Sequence, residues 1–256
     1  MLTGIDHVVI GVPYLDEATS SYRELGFTVV PGGRHPTGTH NALIGFDDGT
    51  YLELIAFERP SPEHRWWDWV QRWGGLTDVC LATDNLAADI EVFRTAGVKM
   101  EGPSPLSRIR PDGYRLEWKL AVPDITGAGV IPFLIEDDTR REERVPRETS
   151  HANQVTGIAG LVIVSEGREK LADFYAAVLH DVGEPVEIPG LSAVGRRFTA
   201  GPHAFDIVTS NDEAGPLARW VRERGPSIYS ISLTNRLTEP GSLNPDRTSG
   251  ALIQLS

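Results

Sequence analysis

The sequence predicts an α+β fold assembled from repeated βαβββ units. One strand-like stretch recurs along the chain, and each copy sits beside an amphipathic helical stretch. Gly4-Ile5-Asp6-His7-Val8-Val9-Ile10 is echoed by Gly75-Leu76-Thr77-Asp78-Val79-Cys80-Leu81. It returns as Gly157-Ile158-Ala159-Gly160-Leu161-Val162-Ile163, and more faintly as Ser227-Ile228-Tyr229-Ser230-Ile231-Ser232-Leu233. Equivalent positions of a repeat occupy equivalent places in space, so the copies can be compared position by position.

In the first unit, Ile5–Val12 is β-branched and apolar, which reads as a strand. Asp16 is placed to cap a helix marked by Leu15, Ala18, Tyr22 and Leu25, with Gly26 as its stop. Phe27–Val30, Asn41–Phe46 and Tyr51–Phe57 read as strands, the last two joined at Asp47-Asp48-Gly49. The second unit follows the same order. It has a strand at Thr77–Ala82, a helix near Asn85–Thr95 stopped by Gly97, and strands at Leu116–Val122 and Val130–Ile135. The third runs from Gly157 through a helix carrying Leu171, Phe174, Tyr175 and Val178 to a hairpin around Gly201-Pro202, where His203 decorates the turn. The fourth has a helix near Pro216–Arg224 and strands near Ile228–Leu233 and Ala251–Leu255. Residues 138–155 are charged and polar with little apolar periodicity, so they are expected to link a domain at 1–137 to a C-terminal half at 156–256.

Composition narrows the function. A formal net charge of -12 over 256 residues argues against a nucleic-acid or anionic-membrane partner. No apolar run reaches membrane-spanning length, and the first strand leaves no room for a signal peptide. Cys80 is the only cysteine, which excludes an internal disulfide, favours a cytoplasmic location and reads as a core residue. There is no P-loop lysine, no serine nucleophile elbow, no dinucleotide-binding glycine pattern and no cysteine pair for structural zinc.

Between the first two units, Trp66, Val70 and Trp73 share a helical face, with Trp69 beside it. These indoles suit packing on the sheet, an aromatic ligand wall, or both. The paired units, with "GIDHVVIGVPYLDEA", "GGRHPTGTHNALIGF", "DGTYLELIAF" and "PFLIED", resemble the glyoxalase-like branch of the vicinal-oxygen-chelate superfamily. The resemblance is motif-rich over residues 1–137 and holds only in outline beyond. It implies that paired βαβββ modules form a curved, cup-shaped mixed sheet, followed by a degenerate second pair. It also implies a divalent metal (Mn, Fe, Zn, Ni or Mg) held by the first and fourth strands of each module, although metal-free binding proteins share the fold.

Strand alternation puts His7 and Glu53 inside that cup, since Leu52 and Leu54 suit the opposite face. Asp78 stands at the position of His7 in the second module and Phe133 at that of Glu53. The expected metal ligands are therefore His7, Glu53 and Asp78, an open three-residue set. A direct His7–Glu53 hydrogen bond remains the plainer alternative. His40, at the mouth of the third strand, is a candidate ligand, substrate contact or acid–base group, and Glu53 a candidate proton carrier. Arg34, Asn41, Trp66 and Trp118 complete the expected substrate contacts; Arg34 and His35 belong to a loop placed to close over the cup, Arg34 suiting a carboxylate or phosphate. Arg115 and Trp118 fall on opposite faces of one strand. In the C-terminal half the equivalent positions hold Gly160, Asp206, Ser230 and Gln254, which make no metal site.

Two functions follow. One is a metal-dependent lyase, isomerase or epimerase acting on a small oxygenated substrate that forms an enediolate; a dioxygenase would need iron or manganese. The other is a metal-free protein that sequesters an aromatic or antibiotic-like ligand. The partner expected is a small molecule, with a homodimer left open.

Overall fold

A computed structural model describes residues 1–35, 37–110, 112–125, 129–237 and 240–256, with the side chains of residues 168 and 169 outside the description. Pro36, at the end of the Gly32–His35 loop, lies outside the described residues. The first half runs β1 (Leu2–Gly11), α1 (Leu15–Glu24), β2 (Val30–Arg34), β3 (Thr39–Gly45), β4 (Tyr51–Phe57), α2 (Trp67–Arg72), β5 (Gly75–Thr83), α3 (Leu86–Thr95), β6 (Met100–Ile109), β7 (Arg115–Pro123) and β8 (Phe133–Asp137). Then come α4 (Arg141–Arg144), β9 (Val155–Val164), α5 (Arg168–Leu179), β10 (Glu184–Ile188), β11 (Ala193–Ala200), β12 (His203–Ser210), α6 (Pro216–Arg224), β13 (Ser227–Asn235), β14 (Gly241–Ser242) and β15 (Ile253–Leu255).

Strands β1 to β8 form one curved eight-stranded sheet in the order β2-β3-β4-β1-β5-β8-β7-β6. Antiparallel β1 and β5 meet at its centre, each flanked by a parallel partner, β4 or β8. Strands β9 to β15 form a seven-stranded sheet of related order, β10-β11-β12-β9-β13-β15-β14. The fold is thus α+β with two paired βαβββ sets.

Alternation decides which face each strand residue joins. Val8, Ile10, Leu52, Leu54, Leu81 and Leu134 lie on the helix side, in a core shared with Leu161, Phe174 and Tyr175 of the second half. Each such buried side chain contributes about 1.5–3 kcal/mol relative to exposure. The halves are joined further by Phe93 edge-on to Phe174 (5.2 Å) and by Tyr175, whose hydroxyl donates to the Val130 carbonyl (3.0 Å). The β3–β4 turn also docks on β9, where the Ile158 amide donates to Asp48 (3.1 Å).

Several elements depart from the sequence reading. Asp16 does not cap α1; Tyr14 holds that position without a side-chain cap, and Asp16 lies in the first turn, where a carboxylate still favours the helix dipole. Asn85 does cap α3, accepting from the Ala88 amide (3.1 Å). Strand β6 carries Pro103 and Pro105, which hide it from propensity yet are tolerated because it is an edge strand. Strand β2 begins at Val30 and runs through Gly32 and Gly33, later than Phe27–Val30. The segment 138–155 contains α4 and buries Arg144 and His151, so it is packed into the fold along part of its length.

Candidate functional site: a cup with a paired base

The concave face of the first sheet encloses a cavity of about 250 Å³. Its wall is mostly apolar: Leu43, Ile55, Leu106, Leu120, Val122 and Ile135, with the rings of Trp66, Trp118 and Phe133. The β1–β4 register sets Val9 beside Glu53, and the β5–β8 register repeats this with Cys80 beside Phe133. Asp78 therefore stands where His7 stands, and Phe133 where Glu53 stands.

At the base of the cup, His7 lies between two carboxylates. Its Nδ1 donates to Asp6 (2.6 Å), while Nε2 faces Glu53 Oε2 at 3.5 Å. Tyr51 stacks on the imidazole at 4.6 Å, and Phe133 meets it edge-on at 5.4 Å. Burial works against a charged imidazole, but Tyr51, Cys80 and Glu53 together raise His7 well above the ordinary histidine range. Burial likewise disfavours the Glu53 carboxylate, yet the hydrogen bond and charge of His7, with His35 and Asn41, lower it from 4.5 to about 2. Asn41 locks this arrangement: its amide donates to Glu53 (2.5 Å) and its carbonyl accepts from the Gly33 amide (2.8 Å).

Asp6 is anchored from outside the sheet. Arg144 in α4 donates to it (2.7 Å), to Asp137 (2.5 and 2.9 Å) and to the Tyr51 hydroxyl (3.0 Å), and Arg141 also donates to Asp6. The carboxylate orients His7 in the way an outer partner orients a ligand or base.

Asp78 is buried and engaged elsewhere. It accepts from Trp66 Nε1 (2.7 Å) and pairs with Arg65 (2.9 Å). Burial raises its carboxyl, against the lowering effect of Arg65 and Trp66. His64 is pushed down to about 4 by burial and by Arg65, so it is neutral near pH 7.

Of the expected contacts, Asn41, Trp66 and Trp118 line the cavity; His40 and Arg34 do not. Thr39, Asn41 and Leu43 alternate into the cup, so His40 falls on the other face of β3. The Arg34 side chain is 81 % exposed and pairs with Glu58 (2.9 Å). His35 reaches in instead, its Nδ1 hydrogen-bonded with the Thr39 hydroxyl (2.8 Å). Trp66 stands at the N-cap of α2, whereas Trp69 donates to the Gly74 carbonyl and Trp73 meets Arg224. Sequence reasoning missed Arg65, Arg108 and Arg144 as cup residues: β6 went unread, α4 passed as linker, and Arg65 was overshadowed by its tryptophan neighbours.

Among the described residues, the equivalent face of the second sheet is covered. Helix α6 fills its equivalent face with Leu217, Val221 and Trp220 against Val164 and Val208. Asp206, in the place of Glu53, is held bidentately by Arg197 (2.7 and 2.8 Å). A side chain at Gly160, in the place of His7, would put Cβ 2.3 Å from the Ala204 carbonyl oxygen.

The glyoxalase-like domain family matches residues 5–179. The chain belongs to that family. It is thereby a member of the vicinal-oxygen-chelate superfamily, whose members are often metal-dependent enzymes or binding proteins. Among curated protein sequences none matches. Among solved structures, a hypothetical protein from Staphylococcus aureus is similar over 99% of this chain and 98% of its own, with 17% identity and a TM-score of 0.73. A mutant of 4-hydroxymandelate synthase from Streptomyces coelicolor matches 91% of this chain and 71% of its own, at 15% identity and a TM-score of 0.62. No described helix of this glyoxalase-like protein is long and apolar enough to cross a membrane.

The family's metal position can be tested against the donors present. His7 and Glu53 stand at ligand positions, but Asp78 is committed to Arg65 and Trp66, and Phe133 offers no donor. Among the described residues, the three-donor group within 4.8 Å is Asp6, His7 and Cys80. Asp6 is already taken by Arg141 and Arg144, and burial raises the Cys80 thiol, which keeps it protonated. This donor set does not fit a resident divalent ion of the expected three-ligand kind.

Proposed function

We propose that this glyoxalase-like chain is a metal-independent small-molecule-binding protein whose cup takes up an apolar or aromatic ligand. The observation that carries the proposal is the division of labour in the cavity. Its wall is tryptophan, phenylalanine and aliphatic surface, while the polar groups at its base are already paired. A concave apolar site with a few placed polar groups is the usual form of a small-molecule site. Trp66 is held by its bond to Asp78, so its ring offers a rigid surface at little entropic cost. A cytoplasmic location, with buried Cys80 reduced, belongs to the same proposal.

A second reading, a metal-dependent lyase, isomerase or epimerase, draws support from one distance. His7 Nε2 and Glu53 Oε2 lie 3.5 Å apart, a separation that two ligands of one ion can have, and Asp6 orients the histidine. Protein purified without a histidine tag and assayed for Mn, Fe, Zn, Ni and Mg separates the two. The binding proposal expects substoichiometric metal, and aromatic compounds that quench tryptophan fluorescence equally with and without chelator. Stoichiometric metal that vanishes in both His7→Ala and Glu53→Ala would overturn it in favour of the enzyme.

A further inference from the structure

Among the described residues, Arg108 is the arginine of the cup wall with no carboxylate paired to it. Arg65 is matched by Asp78, Arg144 by Asp6 and Asp137, and Glu53 by His7 and Asn41. Arg108, on β6, lines the same cavity and has no carboxylate within 4 Å among the described residues. Its one hydrogen bond is a long one, from Nη2 to the Arg144 carbonyl (3.3 Å), and its buried Nε has no partner. The buried Nε of Arg65 in the same wall is also unpartnered. A partly buried guanidinium without an anion is costly, and its planar fork of N–H donors matches a carboxylate.

The fold holds Arg108 at the mouth rather than letting it swing into solvent. Edges β2 and β6 approach each other across the opening, and the Arg108 stem runs over Gly33. A Cβ there would sit 3.0 Å from Arg108 Cδ. The same cavity is lined by Leu106, Trp118, Leu120 and Phe133, whose side chains carry no charge.

We propose that the ligand of the cup is a singly charged organic carboxylate with an apolar or aromatic body, its carboxylate held by Arg108 and its body packed against Trp66, Trp118 and Phe133. This rests on the binding proposal above and adds the charge of the ligand. A free carboxylate supplies the anion that Arg108 lacks, and the other arginines of the wall, Arg65 and Arg144, already have theirs.

Matched acid–amide pairs test it: benzoate with benzamide, phenylacetate with phenylacetamide, and indole-3-acetate with its amide. Each is titrated into the full chain, followed by tryptophan fluorescence and calorimetry. The acids are expected to bind about ten- to a hundredfold tighter than their amides, the worth of a charged hydrogen-bonded contact. Arg108→Gln should abolish that preference, bringing the affinity of each acid down to that of its amide. Arg108→Lys should retain part of it, and Arg115→Gln, at an exposed site on β7, should retain all of it. Thermal unfolding of each variant separates lost binding from lost fold. Equal affinity for acid and amide, or a preference that survives Arg108→Gln, overturns the inference and leaves the binding proposal standing. No binding by either member of any pair overturns both.

Discussion

Replacing Arg144 by methionine removes the charge that ties α4 to the base of the cup while keeping an apolar stem of similar length. The guanidinium is 5 % exposed and makes hydrogen bonds to Asp6, Asp137 and the Tyr51 hydroxyl. Asp6, at 0 % exposure, keeps Arg141 after the change, whereas Asp137, at 18 %, is left to partial solvation. Breaking a buried pair from one side costs about 3–5 kcal/mol, because a buried charge stays behind. Partial compensation by Arg141 and water puts the expectation at about 3 kcal/mol. For a chain of this size that is a fall of about 6–12 °C in Tm. Urea unfolding followed by circular dichroism should show a lower midpoint at unchanged slope. Asp137→Asn alone should cost about 1 kcal/mol, and the double variant should recover about 1–2 kcal/mol of coupling. A loss under about 1 kcal/mol for Arg144→Met, with no coupling to Asp137, would refute the idea that this pair pins α4 to the sheet.

Other outcomes follow from the same geometry. The Glu53 carboxyl is lowered to about 2 by His7, so its contribution is present above about pH 4.5 and is lost as pH falls toward about 2; the stability gap between wild type and Glu53→Gln should shrink by about 3 kcal/mol across that window, and a constant gap would contradict the pairing. His7 is raised, so its contribution is present below pH 6.5 and lost as pH rises through its raised value; Glu53→Gln should shift that alkaline loss to lower pH. Gly160→Ala should destabilise by about 1–3 kcal/mol in thermal unfolding, because its Cβ meets the Ala204 carbonyl oxygen and the backbone must shift. Asp206→Ala, which frees the half-exposed Arg197, should lower stability by about 1 kcal/mol and leave ligand titrations of the cup unchanged.

The repeat and its alternation made much of this molecule legible. The paired βαβββ order, the inward faces of β1 and β4, and the poverty of the C-terminal positions follow from a period of two repeated in each copy. These are local properties, written into neighbouring residues. Strand β6 was hidden because its prolines violate propensity, which only an edge position excuses. Sequence alone assigned His40 no side, because a residue at the mouth of a strand takes its phase from the register that the strand finally adopts.

What only the tertiary structure decided is which charges meet. Composition names Asp6, Asp78, Arg65, Arg108 and Arg144 but assigns no partners, since pairing depends on segments far apart in sequence arriving at one place. Asp6 meets Arg144 because α4 packs against the sheet, and Asp78 meets Arg65 because the turn before α2 lines the cup. Those encounters commit Asp6 and Asp78 to arginines and, among the described residues, leave Arg108 Nε without a hydrogen-bond partner. The sequence by itself determined the strand order and the inward faces of the cup; the tertiary structure decided which charges pair there, because in a low-dielectric interior a charge without an opposite nearby is costly.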